Sequence, residues 1–99
     1  MLSQTPCEAL ELGKRLELRY DGFSRVVEVH VVGLTKEGHW IMRVWQVRGG
    51  SIHDEPPGWK TMRLNEGFSA HILNEKSMAP RPGYQRGDRA MTGGIKCQV

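Results

Sequence analysis

The stretch of residues 16–32 constrains the fold more than any other part of the chain. In its first half, the apolar residues Leu16, Leu18 and Tyr20 alternate with polar ones. Alternation with a period of two is typical of a β-strand that has one buried and one exposed face. The pattern therefore predicts a strand over residues 15–21.

A tight turn and a second strand follow. Asp21-Gly22 is a pair that tolerates positive φ and is typical of a hairpin turn. Residues 25–32 are rich in valine and alternate again, which places Val27, Val29 and Val31 on one face. The intervening positions share the opposite face: Val26, Glu28, His30 and Val32. The two arms together predict a β-hairpin.

A short helix is predicted before this hairpin. Thr5 is a suitable N-cap, Pro6 fits the first helical position, and Glu8 lies where a capping box places a carboxylate. Gly13 is a suitable helix end. Because a helix of about two turns is not stable alone, we expect it to pack on the sheet.

The rest of the chain predicts further short strands. They cover residues 39–48, 59–64 and 68–73, with a closing strand over 95–99. Residues 49–58 are a loop by composition, and residues 74–94 form a polar, basic arm rich in proline and glycine. Because short strands must hide their edges, we expect one mainly β domain over residues 1–99, a small, strongly bent barrel with a short N-terminal helix.

The net charge is +3, and its position matters more than its size. Residues 1–74 carry nine basic and nine acidic side chains, whereas residues 75–99 carry five basic and two acidic ones. All of the surplus positive charge therefore lies in the last quarter of the chain. A basic arm suits a polyanionic partner, although a merely solvated arm explains the same charge.

The compartment and cofactor predictions rest on what the sequence lacks. No basic start followed by an apolar block indicates a secretory signal, and no apolar run approaches the roughly 20 residues of a membrane span. We therefore expect a cytoplasmic protein without membrane contact, in which Cys7 and Cys97 are reduced rather than bridged. Neither the cysteines nor the four scattered histidines have metal-ligand spacing, so no metal or other cofactor is expected.

Catalysis needs a nucleophile, a base and a group that orients the base. Four of the five serines, at positions 24, 51, 69 and 77, lie in or beside turns, and none is in a Gly-x-Ser-x-Gly elbow. The Asp54-Glu55 pair lies in a proline- and glycine-rich loop, where solvation explains it, and no glycine-rich phosphate loop occurs. We therefore expect that the protein is not an enzyme.

Rings and guanidinium groups alternate on two predicted strands. Arg43 and Trp45 share a face of the third strand, and Trp59 and Arg63 share a face of the fourth. Nucleic-acid bases stack on such rings while arginine binds phosphate, so the pattern predicts a surface for single-stranded nucleic acid. The alternative is that the tryptophans fill the core and the arginines lie at its rim.

The order of these residues resembles the WYL domain, a bacterial module named after a Trp-Tyr-Leu triplet. That family shows a strand ending in Tyr, then Arg and Val-Glu-Pro-His, then Gly-x-Trp-Tyr-Leu, and later Arg-x-Phe-Arg-Leu-Asp-Arg-Ile. Here Tyr20 ends the first strand, and Arg25 precedes Val-Glu-Val-His at 27–30. Residues 38–42 read Gly-His-Trp-Ile-Met, and residues 60–67 read Lys-Thr-Met-Arg-Leu-Asn-Glu-Gly.

The resemblance covers roughly residues 8–73 and departs from the family at Val29, Ile41, Met42 and Glu66-Gly67. It implies an Sm-like or SH3-like barrel that senses nucleic acid or a nucleotide-like ligand. In larger proteins such a module usually follows a helix-turn-helix and regulates transcription. Matching positions carry over to the following residues as ligand contacts or motif members: His30, Trp40, Lys60 and Arg63.

These observations predict a non-enzymatic, regulatory module that binds single-stranded nucleic acid or a nucleotide-like ligand. The predicted ligand contacts are Arg43, Trp45, Trp59, Lys60, Arg63, His30, Arg81, Arg86 and Arg89. The two tryptophans would stack on bases, and the basic residues would contact phosphate. The alternative is a structural or protein-interaction module that forms a homodimer or docks a partner through an edge strand.

Overall fold

The structure is a computed structural model that describes residues 4–20, 22–50, 57–64 and 69–99. One helix and six strands follow one another along the chain: α1 (Gln4–Leu12), β1 (Lys14–Tyr20), β2 (Phe23–Leu34), β3 (Trp40–Gly49), β4 (Gly58–Arg63), β5 (Ala70–Lys76) and β6 (Gly94–Gln98). The predicted helix and strands are confirmed, with boundaries shifted by one to three residues. The helix begins at Gln4, so Thr5 lies inside it rather than at its cap. Most of the predicted loop at 49–58 lies outside the described residues.

β1 and β2 form the predicted antiparallel hairpin, with Leu16 opposite Val27 and Tyr20 opposite Phe23. Gly22 has a φ of 79°, a conformation that glycine adopts without a steric penalty. Its predicted turn partner at position 21 lies outside the described residues. Since Leu16 and Leu18 are both buried, the buried face predicted for β1 is confirmed.

A register shift in β2 changes which valines share a face. The pairing with β3 slips between Val29 and Val31, as in a β-bulge. Val32 therefore joins Val27 and Val29 in the main core, while Val31 packs on the opposite face. The prediction that Val31 shares the face of Val27 is wrong, because a valine-rich strand covered on both sides carries no sequence signal for the slip.

The strands pair in the order β4-β3-β2-β1-β5, and β6 pairs with the second half of β2. The sheet bends strongly, because the backbone N–H of Arg63 on β4 donates to the hydroxyl of Tyr20 on β1 at 3.1 Å, across two intervening strands. The fold is thus mainly β, as predicted. Among the described residues, no pairing joins β4 to β5, so these strands do not close the sheet into the predicted barrel.

The main core lies between α1 and the sheet. Its buried members come from the helix and from β1 to β4 and the residue that follows: Cys7, Ala9, Leu16, Leu18, Val27, Val29, Val32, Met42, Val44, Met62 and Leu64. The predicted packing of the short helix on the sheet is confirmed. No helix among the described residues is long and apolar enough to cross a membrane.

A disulfide joins the two ends of the chain. Cys7 on α1 and Cys97 on β6 are bonded, with their Cα atoms 5.9 Å apart. The prediction of reduced cysteines is therefore wrong in this structure. The physical reason is that β6 pairs with β2, the same strand that α1 packs against, so two positions 90 residues apart become neighbours. The cytoplasmic compartment stays a prediction.

The residues between β5 and β6 cross the second face of the sheet. We call residues 77–93 the arm, because the ends of the predicted 74–94 segment belong to β5 and β6. Met91 and Tyr84 of the arm pack against Ile41 of β3 and its neighbours. The face of the sheet on which the sequence predicts a ligand surface is thus partly covered by the arm.

Gly33 shows how closely the end of the arm and the start of β6 approach β2. A Cβ atom at this position would lie 2.6 Å from the carbonyl oxygen of Gly94 and 2.8 Å from Sδ of Met91. Gly33 lies inside β2 rather than in a turn. The close contacts with Gly94 of β6 and Met91 of the arm therefore explain why glycine occupies this position.

Candidate functional site

One buried carboxylate fixes the arm to the sheet. The side chain of Glu28 on β2 is fully buried. Its oxygens accept hydrogen bonds from Nε of Arg15 at 3.0 Å, from the backbone N–H of Met78 at 2.8 Å and from Nε of Arg81 at 2.6 Å. A second guanidinium nitrogen of Arg81 lies 3.2 Å away. Such partners are required, because a buried carboxylate without them is strongly destabilising.

The pKa of Glu28 lies below its ordinary value. Burial raises the pKa, but hydrogen bonds from Arg81, from the Met78 N–H and from Arg15 together lower it by more. Glu28 therefore stays ionised and paired. It anchors the arm and is not available as a proton donor for chemistry.

The ion pairs continue from Glu28 towards the surface. Arg15 also donates to Glu75 at 3.2 Å, and Arg48 binds the same carboxylate through two nitrogens, at 2.9 and 2.6 Å. The hydrogen bonds from Arg48 and then from Arg15 lower the pKa of Glu75 to about 2. Because Glu75 lies near the end of β5, this network holds the segment from which the arm departs.

His30 holds the arm through its ring. The side chain is fully buried, with Nδ1 2.9 Å from the carbonyl oxygen of Glu28 and Nε2 2.9 Å from the backbone nitrogen of Arg81. A carbonyl only accepts and a backbone N–H only donates, so Nδ1 carries the proton and the imidazole is neutral. Burial lowers the pKa of His30 more than the nearby Glu28 raises it. Both ring nitrogens are occupied within the chain, so His30 is not placed for its predicted ligand contact.

The predicted stacking rings lie beneath the arm. Trp45 and Trp59 meet edge to face with 5.4 Å between ring centroids, and Trp59 stacks on Tyr84 of the arm at 6.3 Å. Nε1 of Trp59 donates to the carbonyl of Pro82 at 3.2 Å, and the Arg81 guanidinium lies 5.4 Å from the centre of a Trp45 ring. Both tryptophans are half-buried against the arm. They are neither fully in the core nor a free stacking surface.

A basic groove lies where β3 meets the arm. Its volume is about 430 Å³, and it is lined by Arg43, Gly83, Gln85, Arg86, Gly87, Asp88 and Arg89. We call it the arginine groove. Its volume is within the range of ordinary ligand sites, roughly 300–1,000 Å³. Three predicted contacts, Arg43, Arg86 and Arg89, thus meet in one place although they are far apart in sequence.

The three arginines differ in how they are held. Arg43 donates to Oγ1 of Thr61 at 3.3 Å, and its guanidinium lies 5.4 Å from the centre of a Trp59 ring, so β4 fixes its position. Arg86 and Arg89 are exposed on the arm. Within the described chain, no carboxylate oxygen lies within 4.0 Å of the guanidinium nitrogens of these three residues. The groove therefore carries a local excess of positive charge.

The other predicted contacts are not gathered in the groove. Lys60 and Arg63 lie on opposite faces of β4, and only Arg63 shares the face of Arg43. Arg63 is exposed but does not line the groove. Arg81 is bound to Glu28. The predicted phosphate-binding residues Arg43, Lys60 and Arg63 are therefore not brought together. In the groove, Arg43 lies with Arg86 and Arg89 of the arm instead of with Lys60 and Arg63.

Sequence reasoning missed four residues that matter here. Arg15 and Glu28 anchor the arm, and Gln85 and Asp88 line the groove. A signal for the anchor existed, because Glu28 and His30 alternate with valines and such polar side chains on an apolar strand indicate a buried polar contact. No local signal marks the two groove residues, since they depend on how the arm folds back.

A smaller pocket of about 130 Å³ lies on the β1–β5 side of the sheet, lined by Glu17, Leu18, Arg19, Ser24, Ser69 and His71. Nε2 of His71 lies 3.2 Å from Oε1 of Glu17. The pocket lining includes one basic side chain, Arg19, and one carboxylate, Glu17. The pocket thus lacks the excess charge that distinguishes the arginine groove.

Comparison with protein-family models, curated proteins and solved structures finds no match for this chain. The WYL resemblance therefore stays a prediction. Among the described residues, no three His, Cys, Asp or Glu side chains are grouped so that they could hold a metal ion. The functional interpretation rests on the geometry of the arginine groove.

Proposed function

We propose that this chain is a non-enzymatic regulatory module that binds the phosphate groups of a single-stranded nucleic acid or a nucleotide-like ligand in the arginine groove. The observation that carries the proposal is the convergence of Arg43, Arg86 and Arg89 without a carboxylate partner among the described residues. Positive charges that line one groove repel one another, so an anion bound in the groove is favoured by charge.

Guanidinium chemistry favours phosphate among the common anions. The planar group presents two parallel N–H donors to two phosphate oxygens, and it is more weakly hydrated than an ammonium group. A ligand with several phosphates can contact all three arginines at once, whereas a single carboxylate cannot. A nucleic-acid backbone or a nucleotide is therefore the ligand class that best fits the groove.

The proposed ligand site lies at the boundary between β3 and the arm, and not on the exposed face of β3 and β4 that the sequence predicted. Trp45 and Trp59 already contact groups of the arm, so phosphate contacts contribute more than base stacking. Because phosphate contacts carry no sequence information, we expect weak base preference. The WYL resemblance supports a nucleic-acid ligand, and the Sm-like or SH3-like barrel that it implies stays part of this proposal.

Fluorescence anisotropy with a labelled single strand of about eight nucleotides tests the proposal, since such proteins cover roughly 4–16 nucleotides per site. We expect a wild-type Kd in the micromolar range at low salt. The double variant R86Q/R89Q removes two positive charges from the groove. It should weaken binding by about tenfold or more, because each substitution removes a charge-assisted contact with phosphate.

The matched control is R19Q/K36Q, which removes the same charge from two exposed residues that do not line the groove. It should bind within a factor of about two of wild type in moderate salt, where distant charges are screened. Equal losses in both double variants would refute the groove as the site. Absence of binding by folded wild-type protein at tens of micromolar in low salt would refute the function.

A protein-interaction role is the second candidate. In the described pairings, β4 and β5 are the end strands of the sheet and each is paired along one side. An unpaired strand edge is a template for a strand from another molecule, which includes a second copy of this chain. Light scattering tests the homodimer, and a strict monomer at high concentration would remove this version of the alternative.

A further inference from the structure

Asp88 lies in the arginine groove, where a negative charge opposes the binding of phosphate. One of its oxygens, Oδ1, accepts a hydrogen bond from the backbone N–H of Ala90 at 2.8 Å. The Asp88 carboxylate does not neutralise the groove, because neither Arg86 nor Arg89 forms an ion pair with it within 4.0 Å. A carboxylate in this position disfavours a bare phosphate ligand and suits a ligand group that donates a hydrogen bond.

We infer that Asp88 and Gln85 bind the ribose hydroxyls of the ligand, so that the groove selects ribonucleotides over deoxyribonucleotides. The inference rests on the proposed function and adds the sugar to it. An ionised carboxylate is purely an acceptor, and the 2′-hydroxyl is the donor that distinguishes RNA from DNA. Acidic side chains hold ribose hydroxyls in this way in dinucleotide-binding folds.

The order of the charges along the arm fits a sugar–phosphate backbone. Arg86, Asp88 and Arg89 follow one another within four residues, so along the chain an acidic residue stands between two basic ones. Phosphate and ribose alternate in the same way along a strand. In the described chain the second oxygen of Asp88 and the amide of Gln85 form no hydrogen bond, so both are free to accept from a hydroxyl.

A divalent cation is the other partner that a carboxylate often has. The lining of the groove argues against a cation, because it contains three arginines and a single carboxylate, and this excess of positive charge repels a cation. The neutral partner that remains is a hydroxyl group. A volume of about 430 Å³ accommodates a sugar together with its phosphates rather than a lone inorganic anion.

The experiment compares labelled oligouridylate with oligodeoxyuridylate of equal length, which carry the same base and differ at the 2′ position. We expect the ribose strand to bind about tenfold more tightly, the effect of one hydrogen bond to a charged group. A 2′-fluoro strand keeps a ribose-like sugar shape but cannot donate a hydrogen bond. It should bind like the deoxyribose strand.

The variant D88N assigns the effect to Asp88. Asparagine keeps Oδ1, which accepts the Ala90 N–H bond, so the turn is preserved while the charge is removed. We expect the deoxyribose strand to bind D88N more tightly than it binds wild type. The ratio of the affinities for the ribose and deoxyribose strands should fall towards one. Equal affinity of wild type for both strands, or an unchanged preference in D88N, would refute this inference alone. If neither strand binds, the proposed function fails and the inference fails with it.

Discussion

Glu28 is the residue on which the position of the arm depends most. Its buried carboxylate binds Arg15 from β1 and Arg81 from the arm, and its backbone carbonyl accepts from His30. Arg86 and Arg89 follow Arg81 in the same arm, so their placement opposite β3 depends on this anchor. A change at Glu28 should therefore affect both stability and the groove.

The variant E28Q should be strongly destabilised. Removing one partner of a buried ion pair leaves the other charges uncompensated, which costs roughly 3–5 kcal/mol. We expect a loss of this size in the free energy of unfolding measured with urea. The matched control is E75Q, which changes the exposed end of the same network and should shift the urea midpoint far less. Equal shifts in the two variants would contradict the role assigned to Glu28.

Acid should weaken the folded state in two steps. The pKa of His30 is lowered in the folded chain, so below its ordinary value of 6.5 the unfolded chain binds more protons and stability falls with falling pH. The pKa of Glu28 is also lowered, so a further loss begins below its ordinary value of 4.5. Urea midpoints measured between about pH 7.5 and pH 5 should show the first step.

Two variants assign the first step to His30. The double variant H39Q/H71Q removes two exposed histidines and should keep the full acid sensitivity. H30Q keeps a side chain that can accept from the Arg81 N–H but does not titrate, so its midpoint should change little between about pH 7.5 and pH 5. The same pH dependence in H30Q and in wild type would contradict the role of His30.

At the scale of elements, the disulfide connects α1 to β6 and closes a loop whose ends are 90 residues apart. The chain-entropy relation for a loop of this length gives a stabilisation of about 4–5 kcal/mol, which is lost on reduction. We expect intact protein to show no free thiol on alkylation, and reductant to lower its urea midpoint. The variant C7S/C97S should be insensitive to reductant. An unchanged wild-type midpoint under reducing conditions would contradict the bridge.

Most elements follow from the sequence because their signals are local. The alternation in residues 15–21 and the proline and glycine residues that bound the helix and strands need no knowledge of the rest of the chain. The bulge at Val29 and Val31 has no such signal, since valines on both faces look alike whichever way they point. The disulfide depends on the pairing of β6 with β2, which joins distant parts of the chain.

At the scale of the whole molecule, the position of the arm determines which of the predicted ligand contacts lie close to one another. Alternation alone places Lys60 on the opposite face of β4 from Arg63, so the separation of these two side chains could have been predicted from the sequence. The meeting of Arg43 with Arg86 and Arg89 could not, because it depends on the arm folding back across the sheet. The sequence therefore predicts a phosphate-bearing ligand, whereas the place of the proposed site depends on how the arm folds.

The dependence of affinity on salt tests most directly whether the arginine groove binds a phosphate backbone. Each phosphate neutralised on a single strand contributes about −0.7 to the slope of log affinity against log salt concentration, so three groove arginines should give a slope of about −2. The triple variant R43Q/R86Q/R89Q should have a slope near zero and, if folded, weak binding at every salt concentration. A wild-type slope near zero, or the same slope in wild type and the triple variant, would contradict the groove as the binding site.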